Sequence, residues 1–331
     1  METILYWASE RNPFVCLAPL NSPPDRVSIR GMRRAVVVFM VTLSLLPDPV
    51  ASATAESPRI LLPGAVMEVR FTGDVSERQA AAIVDWLRDA ANQVSAISGT
   101  FPVPEPRVEV IATPGTRWNR SPVPFGRVTR SGGETVELYV DVTRPIEDLY
   151  ADWTASHEFS HLMLPRIHWR HRWISEGFAS YYQNVLMTRA GHYSANEGLR
   201  RLSAGLERGR ASRPELSPNA AARQGIGRAR MKIYWSGAAL ALLADLEIRE
   251  RSAGRDSLDA VLGRFQECCL PSNRRWGGTE FLARLDALLD DPVFMPLYRQ
   301  HADEAGFPDV AAALANDRLR NEIFVVRTSP N

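Results

Sequence analysis

Five consecutive residues near the middle of the chain, His157-Glu158-Phe159-Ser160-His161, carry donor atoms at a spacing suited to metal chemistry. On an α-helix each residue turns by about 100°, so a step of four overshoots a full turn by only about 40°. Two imidazoles then lie on one face, one turn apart, and can chelate a single ion. Glu158 sits beside that face, placed to take a proton from a water acidified by the ion towards ~7 and to pass it to a leaving amine. A d¹⁰ ion such as zinc supports this hydrolysis without redox change. Two neutral histidines still leave a tetrahedral site in need of a further protein ligand and one open position. A histidine six residues on, after a bend at glycine, is not available: Leu164 and Ile167 occupy those places and His168 comes one place late. A carboxylate from the following helix is the better source.

After the loop from Arg166 to Arg172 the chain reads Trp173-Ile174-Ser175-Glu176-Gly177-Phe178-Ala179-Ser180-Tyr181-Tyr182. This segment resembles the Trp-x-x-Glu-Gly-Phe-Ala element of the gluzincin peptidases, the M1 aminopeptidases and the M61 glycyl-aminopeptidase group. The resemblance implies that Glu176 is the third metal ligand, so that one Zn²⁺ per chain is held by His157, His161 and Glu176, with Glu158 as general base. Gly177 then lets its helix pack closely. A further segment, Ile233-Tyr234-Trp235-Ser236-Gly237-Ala238-Ala239, is similar to the Tyr-x-x-Gly helix of the same families, more closely to the M61 version. That similarity implies a catalytic Tyr234 donating to the oxyanion of the tetrahedral intermediate, a task suited to a phenol that donates strongly yet stays neutral near pH 7.

The resemblance spans about residues 130–265 and has departures. The Gly-x-Met-Glu-Asn strand with which M1 aminopeptidases hold a substrate amino terminus is not found, so exopeptidase activity is unsupported. The separation of His161 from Glu176 is short for these families and demands a tight loop, and no PDZ signature is evident. The implied function is hydrolysis of peptide bonds in a peptide or protein substrate. Two alternatives stand beside it: a non-catalytic zinc-containing peptide-binding protein, which Glu158 argues against, and a zinc hydrolase acting on a non-peptide bond.

The elements that must position these residues come in two runs. Strand patterns at Ala65–Phe71, Arg107–Ala112, Phe125–Thr129 and Thr135–Asp141 precede the motif, the last two joined through Ser131-Gly132-Gly133 as a hairpin. Between the first two, Ser76 and Gln79 form a capping-box pattern ahead of a helix that Gly99 stops. From Pro145 the pattern is helical: Ile146–Leu164, Ser175–Arg189, Asn196–Glu207, Met231–Ser252, Ser257–Gln266, Thr279–Leu289 and Ala302–Leu319, with Arg208–Arg230 of low order. Strands followed by helices give an α+β fold, and the resemblance makes it a zincin-like core: a small mixed β-sheet in an N-terminal α/β subdomain (59–144), then a helical zinc-binding half (145–325). Thr135–Asp141, immediately ahead of the zinc helix, is the strand expected to border the cleft and pair with an extended peptide.

Composition narrows the setting. The 331 residues carry 39 Lys+Arg against 38 Asp+Glu, a formal charge of +1, so no global field favours nucleic acid. Any charge-based partner must act locally. Cys16, Cys268 and Cys269 cannot form a disulfide framework, and the adjacent pair is expected as two thiols. His168 and His171, in a basic Trp-flanked loop, are expected to be solvated. Met32-Arg33-Arg34, the apolar run Ala35–Leu46 and Ala51-Ser52-Ala53 follow the order of a secretory signal, giving a leader at 32–53, an upstream extension at 1–31 and an exported mature chain. The run is too short for a transmembrane helix, which leaves a membrane anchor as the lesser reading.

Overall fold

The computed structural model describes residues 57–114 and 121–325; the expected leader, the segment before it and Cys16 lie outside the described residues. Strands β1 (Arg59–Leu62), β2 (Ala65–Thr72), β3 (Arg107–Thr113), β4 (Phe125–Thr129) and β5 (Thr135–Asp141) form one sheet in the order β1-β2-β3-β5-β4. The β2/β3 and β3/β5 pairs are parallel, while β1/β2 and β4/β5 are antiparallel, so the sheet is mixed. Helix α1 (Glu77–Ser98) opens with the expected capping box on Ser76 and Gln79 and stops at Gly99, whose φ of 87° only glycine adopts cheaply.

The helical half follows: α2 (Ile146–Ala151), α3 (Thr154–Ser160), α4 (Arg172–Arg189), α5 (Ala195–Ala211), α6 (Pro218–Gln224), α7 (Ile226–Arg251), α8 (Leu258–Cys269), α9 (Gly278–Asp286), α10 (Phe294–His301) and the short α11 (Ala311–Leu314). A two-stranded parallel ribbon of β6 (Arg166–Ile167) and β7 (Arg275–Trp276) closes the loop between α3 and α4. Among the described residues no helix is long and apolar enough to cross a membrane.

Several expectations change. Residues 146–164 are not one helix: the chain extends at Asp152, whose carboxylate accepts from the Thr154 backbone N–H at 2.8 Å and starts α3 afresh. Residues 302–319 do not form a helix either. Gly306 takes a φ of 97° and Pro308 follows two places on, separating α10 from α11. The stretch 208–230 holds α6, capped by the Ser217 side chain with Pro218 in the first turn. Cys268 and Cys269 are bonded to each other rather than left as thiols.

The strand expected to border the cleft is also displaced. With Val136, Leu138 and Val140 fully buried, β5 pairs on both sides, with β3 and with β4. The sheet edge beside the zinc helix is therefore β4, which carries the exposed Arg127.

Candidate metal centre

Every residue of α3 is buried, and the helix packs against α1, α4, β4 and β5. Its start is fixed by Asp152, which also accepts from the Ser121 hydroxyl at 2.9 Å. Facing it is α4, which crosses α7 with backbone against backbone at Gly177 and Gly237. Glu176 is the residue before the crossing on α4, and Tyr234 lies one turn before it on α7. A buried network clamps the other end of this pair: Tyr181 donates to Asp245 at 2.8 Å, Tyr182 to Asp259 at 2.9 Å and Arg189 to Asp259 at 2.7 Å.

Ligand atoms of His157, His161 and Glu176 lie within 4.8 Å of one another. The Oε2 atom of Glu176 is 3.6 Å from Nε2 of His157 and 3.6 Å from Nε2 of His161. Ligands about 2.1 Å from a tetrahedral zinc are separated by ~3.4 Å, so the three side chains fit one Zn²⁺ with little adjustment. The remaining ring nitrogens are engaged: His157 Nδ1 shares a hydrogen with Gln183 Oε1 at 2.8 Å, and His161 Nδ1 with the Ser175 hydroxyl at 3.0 Å. Each bond turns Nε2 towards the common point. Helix α4 thus supplies one candidate ligand, Glu176, and both outer partners. Gln183 comes seven residues after Glu176, on the same helix face; that spacing could have revealed it in the sequence, whereas Ser175 carries no comparable signal.

Burial pushes the Glu176 carboxyl up, but His161 and His157 outweigh it and hold the group well below the usual carboxylate range. For His157, burial disfavours the cation, while Glu176 and Glu158 reverse the balance and raise its pKa. Burial raises the Glu158 carboxyl, with Glu176 adding to the effect against the two histidines. Glu158 is 5% exposed and its carboxylate makes no hydrogen bond among the described residues. Its methylene packs beneath β4 at Gly126, where an added Cβ would stand 2.6 Å from Glu158 Cγ and 3.0 Å from Oε1. Tyr234 stacks on His157 with ring centres 5.7 Å apart, and its hydroxyl donates to Glu176; burial, then the two carboxylates, push its pKa well above 10.

His168 and His171 stand apart from this group. His168 Nδ1 accepts from the Arg170 N–H at 3.3 Å, and His171 Nδ1 from the Gly278 N–H at 3.2 Å.

The His-Glu-x-x-His pair, the Glu176 ligand from the next helix and the mixed sheet ahead of them define a metal centre and fold of the gluzincin metallopeptidase type. The sequence profile of the M61 glycyl aminopeptidase family matches residues 166–235, the stretch from β6 to the first turns of α7. The fold is shared with an aminopeptidase N family protein from Idiomarina loihiensis at a TM-score of 0.58 and 14% identity, covering 78% of this chain and 48% of that one. An M1 zinc metallopeptidase from Deinococcus radiodurans is similar at a TM-score of 0.49 and 15% identity, covering 76% of this chain and 52% of that one. This chain therefore spans about half the length of the solved relatives. A comparison with curated proteins finds no match.

Proposed function

We propose that the protein is a zinc-dependent peptidase in which His157, His161 and Glu176 hold the metal and Glu158 moves the protons. The zinc, when bound, supplies Lewis-acid polarisation of the scissile carbonyl and acidifies a water. The observation that carries the reading is Glu158: a buried carboxyl beside the ligands, with its pKa raised and no hydrogen bond of its own among the described residues. A zinc brace needs ligands and has no use for such a group. A base of this kind accepts a proton readily at neutral pH and can return it to a leaving amine.

Tyr234 serves as the oxyanion donor in this reading, releasing Glu176 to turn its hydroxyl to the substrate. Its raised pKa keeps it a neutral donor throughout the working range. The outer side of β4, which has no strand partner among the described residues, supports a peptide as substrate over a non-peptide ester, because an extended chain can add there as a further strand close to Glu158, which packs on Gly126 of β4. The division into an α/β part (59–144) and a helical catalytic half (145–325), and export by a leader at 32–53, belong to the same proposal.

The experiment compares wild type with Glu158→Gln for bound zinc and for cleavage of unstructured peptides. Full zinc content in both, with kcat/KM lower by at least about 10³ in the variant, is expected. Equal turnover at equal zinc would move the protein to the peptide-binding class.

A further inference from the structure

One end of the β4 edge leads to a group of arginines, two of which have no ion-pair partner among the described residues. Gly126 marks the catalytic end, in contact with Glu158, and the strand then runs to Thr129. The next residue, Arg130, donates through Nη2 to the carbonyl oxygens of His161 at 2.7 Å and Leu164 at 3.0 Å, at the end of the zinc helix. Its buried Nε has no hydrogen-bond partner among the described residues. Burial lowers the Arg130 pKa, Glu134 opposes this and Arg166 lowers it further; the Leu164 carbonyl that Arg130 holds lies two residues before Arg166 in the chain.

Arg166 is itself in register with Arg275 across the β6/β7 ribbon. Neighbouring residues in register project to the same face, so like charges there repel. Both are exposed, and neither side chain makes a hydrogen bond or ion pair among the described residues. The adjacent Arg274 differs: Glu280 neutralises it and it lies over the Trp276 ring at 4.0 Å. Two repelling, uncompensated arginines on a short ribbon cost stability, and an anion between them removes the cost.

Resting on the reading of this site as a peptidase with β4 as its peptide edge, we propose that Arg130, Arg166 and Arg275 form a subsite for an acidic residue of the substrate. Four residues of strand at about 3.3 Å each carry a paired peptide ~13 Å from the bond at Glu158 to this cluster. The protein therefore selects segments with Glu or Asp three to five positions from the scissile bond, on one side of it.

The test uses the zinc-loaded enzyme and neutral fluorogenic peptides with one cleavable bond, in which a single Glu is moved stepwise away from that bond on either side. Glu at three to five positions on one side raises kcat/KM about 3- to 10-fold, mainly through KM, and about 0.5 M NaCl erases the gain. In Arg166→Glu/Arg275→Glu the preference inverts, while neutral peptides are cut within about twofold of wild type, as suits exposed positions. Arg166→Gln, with thermal unfolding measured alongside, gives an intermediate preference without a change of fold. Cleavage with no positional preference for Glu, or a preference unchanged in the double variant, overturns this subsite and leaves the peptidase standing. Failure of the wild type to cut any peptide overturns both.

Discussion

Gly177 of α4 and Gly237 of α7 meet with no side chain between them, and the two helices that bear Glu176 and Tyr234 approach to backbone contact there. An added Cβ on Gly237 would overlap the Trp173 carbonyl oxygen and lie 2.7 Å from Gly177 Cα; one on Gly177 would overlap Gly237 Cα. Backbone cannot move aside as a flexible side chain can, so the crossing distance is set by the absence of two methyl groups.

Gly237→Ala is accordingly expected to destabilise the protein by at least about 3 kcal/mol, or to prevent folding. Where it folds, the separated helices draw Glu176 away from the histidines and zinc affinity falls with stability. Urea unfolding and zinc titration check both; a variant with wild-type stability would show that the helices can part freely.

The chelating pair was legible because its spacing matches one turn of helix, and Glu176 because its neighbours Trp173 and Gly177 repeat a known segment. The break at Asp152 was not: the apolar pattern runs on through Leu149 and Ala155, while the extended backbone at Asp152, whose carboxylate accepts from the Thr154 N–H and the Ser121 hydroxyl, separates α2 from α3. The edge strand was misplaced because a hairpin signal says which strands pair but not which of them meets a third. Pairing of β5 with β3 is a long-range contact that decides it. Ser217-Pro218 and Gly306-Phe307-Pro308 did carry signals for the start of α6 and for the break between α10 and α11.

Gly126→Ala tests the seat of Glu158, the proposed base. The new methyl group must displace either β4 or the Glu158 side chain, because Glu158 Cγ stands only 2.6 Å from its position. Since neither neighbour of this contact is a zinc ligand, kcat is expected to fall by about 10- to 100-fold while zinc content stays full. Metal analysis beside peptide turnover separates the two, and wild-type kcat would show that the base has room to spare.

Gln183→Leu removes the partner of His157 Nδ1, where burial leaves no water to replace it. Zinc affinity is expected to weaken by about 10- to 100-fold, read by competition with a chromogenic chelator. Gln183→Glu keeps a hydrogen-bond acceptor and restores affinity. Ser175→Ala has a smaller effect, since Ser175 and the ring it supports are less deeply buried and water can take the hydroxyl's place. A Gln183→Leu protein that holds zinc like wild type would show that packing alone orients His157.

Lys232 gives stability a pH dependence remote from the metal. Its ammonium is fully buried against Phe307, at 5.5 Å from the ring centre, and donates to the Gly306 carbonyl. Burial lowers its pKa to about 8, against a weaker opposing pull from Glu215. In the unfolded chain the group titrates near ~10.4. Between these values the unfolded state binds more protons than the folded one, so this residue makes stability rise with pH from about 8 to about 10.4, by on the order of 3 kcal/mol in all. Tyr181, Tyr182 and Tyr234, whose pKa values are raised, contribute the opposite slope as they begin to ionise in the unfolded chain. The informative quantity is therefore the difference in unfolding free energy between wild type and Lys232→Met, in which the tyrosines cancel. That difference is expected to move in favour of wild type as pH rises from about 8 to 10 and to be flat below about 7. A flat difference throughout would mean that Lys232 keeps its ordinary pKa and reaches water in solution.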